Sequence, residues 1–422
     1  MSGSPLATLD VMAGGITTPK GFRASGVSAG IKRRGDRPDA STAQTAGPLD
    51  LAVLVSDRPA TASAVFTTNR AQAAPVLVSR DHLTRSGGVA MAVIVNSGCA
   101  NACTGPAGLQ VARDMASETA RLVGCPEDQV LVASTGVIGV ALSIDKIRQA
   151  LPGAVAALGA DQGSLAARAI MTTDPFPKEA AARASVAGRE IIVGGMAKGS
   201  GMIEPSMTPQ ATMLAFVTTD AAVPKPLLDR ALREAVDVTF NAITVDGECS
   251  TNDCVMLLAN GASGATLDEA SYPAFAQALN SVCLRLALDI VRGGEGATKL
   301  VTVSVTGAAT AADARRAAKA IANSPLVKTA VHGGDPNWGR LIAVSGRAGV
   351  EFDLARAEVA IGPVVLFKDG RPHDELAPEA ARYLQNHDVT ISVNLGAGVE
   401  SSTVWTCDLS AEYVRINAEY RT

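Results

Sequence analysis

Lys198-Gly199-Ser200-Gly201-Met202-Ile203-Glu204-Pro205-Ser206-Met207-Thr208-Pro209-Gln210-Ala211-Thr212-Met213-Leu214-Ala215-Phe216 is the stretch on which the reading of this chain turns. A glycine-rich segment leads into a loop carrying two prolines, and the loop ends at a small residue, a threonine and an apolar run. A hydroxyl residue where a loop enters a strand has the geometry of self-cleavage. The hydroxyl attacks the carbonyl behind it and the resulting ester hydrolyses. The new chain end then carries a nucleophile and a base together. Its α-amine has a reference pKa of about 8, so near neutrality it takes the hydroxyl proton without help from a histidine. Read locally, Thr212 also fits the plainer and commoner description of a threonine opening a strand.

Outward from this stretch, strand-like and helix-like pieces alternate. Val89 to Val95 is an apolar run ending in Asn96-Ser97-Gly98, which reads as a turn. Ala107 to Val123 has helical spacing and stops at Gly124. Gln129 to Ala133 reads as a strand broken by Ser134-Thr135-Gly136. Ser143 to Leu158 reads as a helix with Ser143 as N-cap and a kink or split at Pro152. Glu190 to Val193 is a strand expected to turn at Gly194-Gly195, and Met213 to Val217 another. Farther on, Lys225 to Val238, Leu267 to Val291 and Thr310 to Ala322 read as helices; Cys254 to Leu258, Leu300 to Val305 and Val389 to Val393 read as strands. The mixture predicts layered α/β architecture. Arg33 to Gly47 is polar and reads as a surface loop.

Composition narrows the function classes. The 422 residues suggest two or three domains, and 47% are apolar but only 3% aromatic, so alanine, valine and glycine fill the interior. A formal charge of −4 without a basic run argues against nucleic acid and anionic membrane as partners. No stretch reads as the roughly 20 apolar residues of a membrane helix, and the N-terminus lacks the order of a signal peptide. Seven cysteines in so long a chain read as reduced thiols in a cytosol. Cys99 and Cys103 lie close, but neither a histidine nor a second cysteine pair stands at zinc spacing, so no metal is expected. None of the four histidines sits in a nucleophile motif, which disfavours a serine–histidine–aspartate enzyme.

A series of motifs in fixed order then carries a resemblance. They are Pro19-Lys20-Gly21-Phe22-Arg23, Val65-Phe66-Thr67-Thr68-Asn69-Arg70, Asn96-Ser97-Gly98 with Ala100-Asn101-Ala102, Ser134-Thr135-Gly136-Val137-Ile138-Gly139 and Met171-Thr172-Thr173-Asp174. Lys198-Gly199-Ser200-Gly201-Met202-Ile203, Ala211-Thr212-Met213-Leu214, Ser250-Thr251-Asn252-Asp253, Gly294-Glu295-Gly296-Ala297-Thr298-Lys299 and Asn337-Trp338-Gly339-Arg340 follow, closed by Tyr413 to Thr422. From Gly15 to the last residue the chain resembles the ornithine acetyltransferase family, the glutamate N-acetyltransferases of arginine synthesis.

The resemblance implies a self-cleaving, N-terminal-nucleophile-like αββα sandwich with an additional smaller α/β domain. It implies a cut between Ala211 and Thr212, giving an α chain 1–211 with the oxyanion and substrate-binding segments and a β chain 212–422 that begins at the nucleophile. Thr212 would take acetyl from N2-acetyl-L-ornithine and pass it to L-glutamate in a ping-pong reaction. Thr135 and Gly136 would stabilise the tetrahedral oxyanion; Thr173, Lys198, Thr212, Glu295, Asn417 and Thr422 would hold substrate. It implies no cofactor, with acetyl-CoA a co-substrate in some family members, and an α2β2 heterotetramer. A lysine suits a carboxylate and a glutamate suits an ammonium, both present on the substrate. Taken alone, however, Lys198 reads as a surface lysine after a glycine turn, Glu295 as a solvated loop acid and Ser134-Thr135-Gly136 as a capping turn. A chain end that binds substrate needs Tyr413, Val414 and Ile416 to dock the tail, since termini fray.

Other motifs carry less. Asn252 and Asp253 either support the site from behind or cap a turn. Trp338 and Arg340, after the turn signal Asp335-Pro336-Asn337, are expected to anchor a loop. Gly293 to Gly296 lacks the Gly-Lys-Ser/Thr of a phosphate loop, and Lys299 is misplaced for one. The chain departs from the family pattern at Thr208-Pro209-Gln210, which is inserted just before Ala211 and bears on the rate of self-cleavage; Asp39 to Gly47 also reads as an insertion. Two competing readings remain: a self-cleaved threonine-nucleophile aminopeptidase or amidase, and an uncleaved relative that only binds ligand.

Overall fold

In the run Leu51–Phe66, buried side chains alternate between two apolar clusters, as period-two patterning of a doubly covered strand demands. This strand organises the larger of two sheets in the computed structural model, which describes residues 11–32, 47–186, 188–204 and 213–419. Among the described residues that sheet has eight strands: β1 (Phe22–Val27), β2 (Leu51–Phe66), β3 (Val89–Cys99), β4 (Val130–Val137), β5 (Lys178–Val186), β6 (Arg189–Lys198), β7 (Leu214–Thr219) and β8 (Cys254–Ala259). The order is β4-β3-β2-β8-β7-β6-β5, with β1 added antiparallel to β2. It draws strands from both sides of the Ala211–Thr212 junction, since β6 pairs β7 with Lys198 opposite Leu214.

The first half of β2 pairs β3. After a register shift between Val55 and Ala60, its second half pairs β8. Leu51, Val53 and Val55 meet helices α1 (Ala74–Arg85), α2 (Gly105–Val123) and α3 (Ile144–Ala156) on one outer face. Val255 and Leu257 of β8, with β5–β7, meet α5 (Lys225–Val238) and α6 (Tyr272–Arg292) on the other. Ala52, Leu54, Val93, Val95 and Leu131 share a third cluster with Leu214, Phe216, Met256 and Leu258, together with residues of the short helix α4 (Gly163–Ala169). The two halves of the sheet therefore face each other between outer helices, which is the expected αββα layering.

The smaller unit follows it in sequence. β9 (Leu300–Ala308), β10 (Glu358–Ile361), β11 (Val364–Lys368), β12 (Arg371–Pro372), β13 (Asp388–Asn394) and β14 (Glu400–Cys407) form a second sheet in the order β12-β11-β10-β13-β9-β14. Its core includes α7 (Ala311–Ala322), α8 (Pro325–Gly333), α9 (Trp338–Gly346) and α10 (Ala377–Tyr383). The tail ends in α11 (Ala411–Glu419).

Four sequence expectations need correction. β3 and β4 do not break at Asn96-Ser97-Gly98 and Ser134-Thr135-Gly136; they continue as a parallel pair, with an irregular register only at Gly98 and Cys99. β6 runs straight through Gly194-Gly195, because a Cβ at Gly194 would overlap the Gly15 carbonyl oxygen, and a strand glycine here admits a close backbone. α3 is a single helix with Pro152 inside it; Ser143 does hold its N-cap position, though without a side-chain capping hydrogen bond. Finally, α6 is long and apolar enough to cross a membrane, but 72% of that window is buried inside the fold, against β5, β6 and α5.

Candidate active site

Strands of the larger sheet end together at one edge, and a cleft of about 140 Å³ opens there. Its lining includes Thr135, Gly136, Thr173, Lys198, Met213, Asn252, Asp253, Glu295 and Asn417. Every described residue that the resemblance assigns to oxyanion or substrate thus reaches one cavity, from five separate segments. Ala211, Thr212 and Thr422 lie outside the described residues, as does the Thr208-Pro209-Gln210 insert. Met213, the next residue after Thr212, lines the cleft.

Thr135 and Gly136 stand near the C-terminal end of β4. Gly136 has φ +126° and lies opposite Gly98; a Cβ there would collide with the Gly98 carbonyl carbon and lie 2.6 Å from the Cys99 nitrogen. Only glycine meets both demands. Asn252 fixes this wall from behind. Its Nδ2 donates to the carbonyls of Ala100 (2.6 Å) and Ser134 (2.8 Å), and its Oδ1 accepts from the Thr251 hydroxyl (2.6 Å). Asn252 is therefore a brace for the Thr135-Gly136 wall rather than a turn cap.

Lys198 ends β6 and is buried, not a surface lysine. Its Nζ donates to Thr135 Oγ1 at 3.2 Å. Burial pulls the ammonium pKa below the ordinary lysine value, and neighbouring Lys178 adds to this, while Asp174, Asp253 and Glu295 oppose it. The Asp174 carboxyl is raised by burial, but Lys178, Lys198 and the Gly199 N–H outweigh that and hold it well below the usual carboxylate range.

Glu295 follows α6 and is also buried, contrary to its reading as a solvated loop acid. Its backbone N–H donates to the Ser200 carbonyl (2.9 Å), and its Oε2 accepts from Asn417 Nδ2 (2.8 Å). The tail docks through Tyr413 and Ile416, both half-buried, whereas Val414 is 63% exposed and contributes nothing. Tyr413 donates its hydroxyl to Asp246 Oδ2 at 3.2 Å. Asp246 also accepts from the N–H groups of Met202 (2.7 Å) and Ile203 (2.8 Å), so one carboxylate joins the tail to the turn after β6.

Sequence reasoning passed over Asp174 and Asp246; of the two readings it offered for Asn252, support from behind is the one its hydrogen bonds match. An Asp–Lys pair at Asp174 and Lys178, four residues apart beside a candidate substrate threonine, was the available signal. Trp338 and Arg340 behave as expected of anchors. The indole donates to Asp374 (2.8 Å) and stacks on Phe367, and the guanidinium donates to the Leu326 carbonyl (2.6 Å). Lys299 donates to the Val331 and Leu384 carbonyls, within the smaller unit. All seven cysteines are free thiols.

A hydroxyl and a strand glycine pressed against a second backbone on one wall, with a buried ammonium and carboxylate beside them, suit acyl transfer on a small molecule charged at both ends. Such a cleft at the edge of an αββα sandwich defines the class. The chain belongs to the ArgJ family, whose family model matches residues 23–422. It is 48% identical over 419 residues to the arginine biosynthesis bifunctional protein ArgJ of Symbiobacterium thermophilum, covering 98% of this chain and all of that one. It is 47% identical to the solved ArgJ structure from Bacillus halodurans (TM-score 0.48), covering 50% of this chain and 100% of that chain. It is 40% identical to the ornithine acetyltransferase of Mycobacterium tuberculosis solved with ornithine (TM-score 0.40), covering 47% of this chain and 98% of that chain.

Proposed function

We propose that this chain is an acetyltransferase of arginine biosynthesis that cuts itself between Ala211 and Thr212 and carries acetyl on the freed Thr212. The α-amine of the new end takes the hydroxyl proton, and the Thr212 oxygen attacks the acetyl carbonyl of N2-acetylornithine. The tetrahedral oxyanion receives hydrogen bonds from the Thr135 hydroxyl and the Gly136 N–H. The proton passes to the departing ornithine nitrogen, leaving an acetyl ester on Thr212. Glutamate then attacks that ester through its neutral amine, the bond from the acetyl carbon to the Thr212 oxygen breaks, and the amine proton returns to that oxygen through the α-amine as N-acetylglutamate leaves. One oxyanion donor lowers the barrier by roughly 3 kcal/mol. Lys198 and Glu295 bind the ends of the substrate with Thr173 and Asn417, and this converts binding into orientation of the acetamide.

One observation carries the reading: Thr135, Gly136, Thr173, Lys198, Glu295 and Asn417 surround a single cleft that Met213, the neighbour of Thr212, also lines. Intact-mass spectrometry is the test. The expected products are one fragment ending at Ala211 and one beginning Thr-Met-Leu, the second gaining an acetyl group on incubation with acetylornithine. Thr212→Ala should remain one chain and transfer nothing; transfer by that variant would remove Thr212 from the role. Acetate release equal with and without glutamate would mark an amidase instead. Acetylation of glutamate from acetyl-CoA alone would add the second donor. We further propose that the cleaved halves assemble as α2β2 in the cytosol, which light scattering of the purified protein checks for stoichiometry.

A further inference from the structure

We propose that Asp174, through its buried pair with Lys178, is the positioning residue that holds three substrate-binding segments of this cleft in register. The proposal rests on the acetyltransferase reading for its assay, but its geometry stands apart from Thr212. Asp174 follows Thr173 directly. Its Oδ2 accepts from the Thr172 N–H (2.9 Å), which shapes the turn that presents Thr173. Its Oδ1 accepts from the Gly199 N–H (2.7 Å), next to Lys198. The same oxygen takes the Lys178 ammonium at 2.6 Å, and both side chains are fully shielded from water. Lys178 in turn packs under the third segment: a Cβ at Gly293 would lie 3.2 Å from its Nζ. That glycine loop is tied to the β6 turn by the Ser200 hydroxyl on the Gly293 carbonyl (2.6 Å) and leads straight into Glu295.

One carboxylate thus touches the Thr173 turn and the Lys198 turn, and its counter-ion touches the Glu295 loop. An ion pair so deeply buried is poor evidence of stability, because an apolar pair of similar volume commonly folds as well. Its charge has a further use. The groups facing Lys198 are Asp174 on the loop after α4, Lys178 on β5, Asp253 before β8 and Glu295 after α6. Asp174 is the strongest of these in holding Lys198 protonated, and the Lys198 ammonium is what reaches the Thr135 hydroxyl.

The test is the double variant Asp174→Asn/Lys178→Met, made in the full chain. It removes both charges together and keeps the volumes. We expect parental maturation and a modestly lowered thermal midpoint, since the amide keeps one acceptor oxygen where the carboxylate had two, with ornithine binding by calorimetry and kcat/KM for acetylornithine each reduced by about a hundredfold. The alkaline limb of the kcat/KM profile should move slightly to lower pH, because the loss of the Asp174 anion outweighs the simultaneous loss of the Lys178 cation at Lys198. A folded double variant with parental kcat/KM and an unmoved alkaline limb would overturn the proposal. Should the double variant not accumulate folded, Asp174→Glu carries the test. It retains the charge but misplaces it, so kcat/KM should fall with the alkaline limb unmoved, and parental kinetics would overturn the proposal. If the parent chain itself fails to transfer acetyl, the functional reading fails, while ornithine binding still reports on Asp174: an undiminished affinity in the folded variant refutes positioning.

Discussion

Replacing Asn252 should unseat the Thr135-Gly136 wall, and the structure sets the size of the effect. The side chain is 6% exposed and satisfies two carbonyls, those of Ala100 and Ser134. Asn252→Ala leaves both acceptors buried without a donor, at about 1–3 kcal/mol each. A total loss of about 2–6 kcal/mol is a large share of the roughly 5–15 kcal/mol that holds a domain folded. The Ser134 carbonyl belongs to the peptide that joins Ser134 to Thr135. Its release should therefore also cost about ten- to a hundredfold in kcat through displacement of the Thr135 hydroxyl. Asn252→Asp separates hydrogen bonding from packing. The volume is kept, yet an ionised carboxylate faces two carbonyls with nothing to donate, so at neutral pH the variant should lose at least as much as Asn252→Ala. On acidification the protonated carboxyl donates one bond and regains part of the loss. In linkage terms this carboxyl has a folded pKa above its unfolded one, so its favourable contribution is present below the unfolded pKa and disappears as pH rises through the folded value. Thermal midpoints at one scan rate and steady-state acetyl transfer, each at two pH values, are the assay. An Asn252→Asp protein with parental midpoint and kcat at neutral pH would refute the reasoning.

Two further outcomes are expected. Lys319 donates to the Ile243 carbonyl at 2.8 Å and is largely buried, with 16% of its side chain exposed, and that burial lowers its pKa to about 8 despite help from Glu204. A folded-state pKa below the unfolded one means that the unfolded chain binds the extra proton between pH 8 and about 10.4, so stability should rise with pH across that window. The penalty relieved is on the order of 3 kcal/mol, and chemical-denaturation midpoints for Lys319→Met should show a flatter slope there. Tyr413→Phe removes the bond to Asp246 and loosens the tail that carries Asn417, worth about 1 kcal/mol, so KM for acetylornithine should rise several-fold with kcat little changed.

Much of the candidate site was legible through the resemblance, which is carried by short motifs. Ser134-Thr135-Gly136, Thr172-Thr173, Lys198-Gly199 and Gly294-Glu295 each combine a reactive or charged side chain with small residues that let the backbone approach closely. Less legible were residues whose role depends on what surrounds them. Lys198 and Glu295 read as solvated in isolation, yet both are buried, because β6 and the loop after α6 end against the same wall. Asp174 offered only a carboxylate beside a threonine; its two backbone donors and its counter-ion come together on folding. Glycines misled in the strands, since local propensity reads Gly194-Gly195 and Gly136 as turns whereas the sheet uses them where another backbone passes. Pro152 misled for a related reason: tertiary packing of Ile147, Leu151 and Ala154 holds α3 together through it.

By itself, the sequence determined the class of architecture, the order of its elements and the residue types available for acyl transfer. Those follow from periodicity and from side-chain chemistry, which are local properties. Only the tertiary structure decided that β2 bends to face its own sheet, that five distant segments end at one cleft, and that Asp174 and Lys178 lie out of water between them. Burial and proximity are properties of the folded whole. They depend on long-range pairings such as Lys198 opposite Leu214 and Asn252 reaching Ala100 and Ser134, which no stretch of sequence contains.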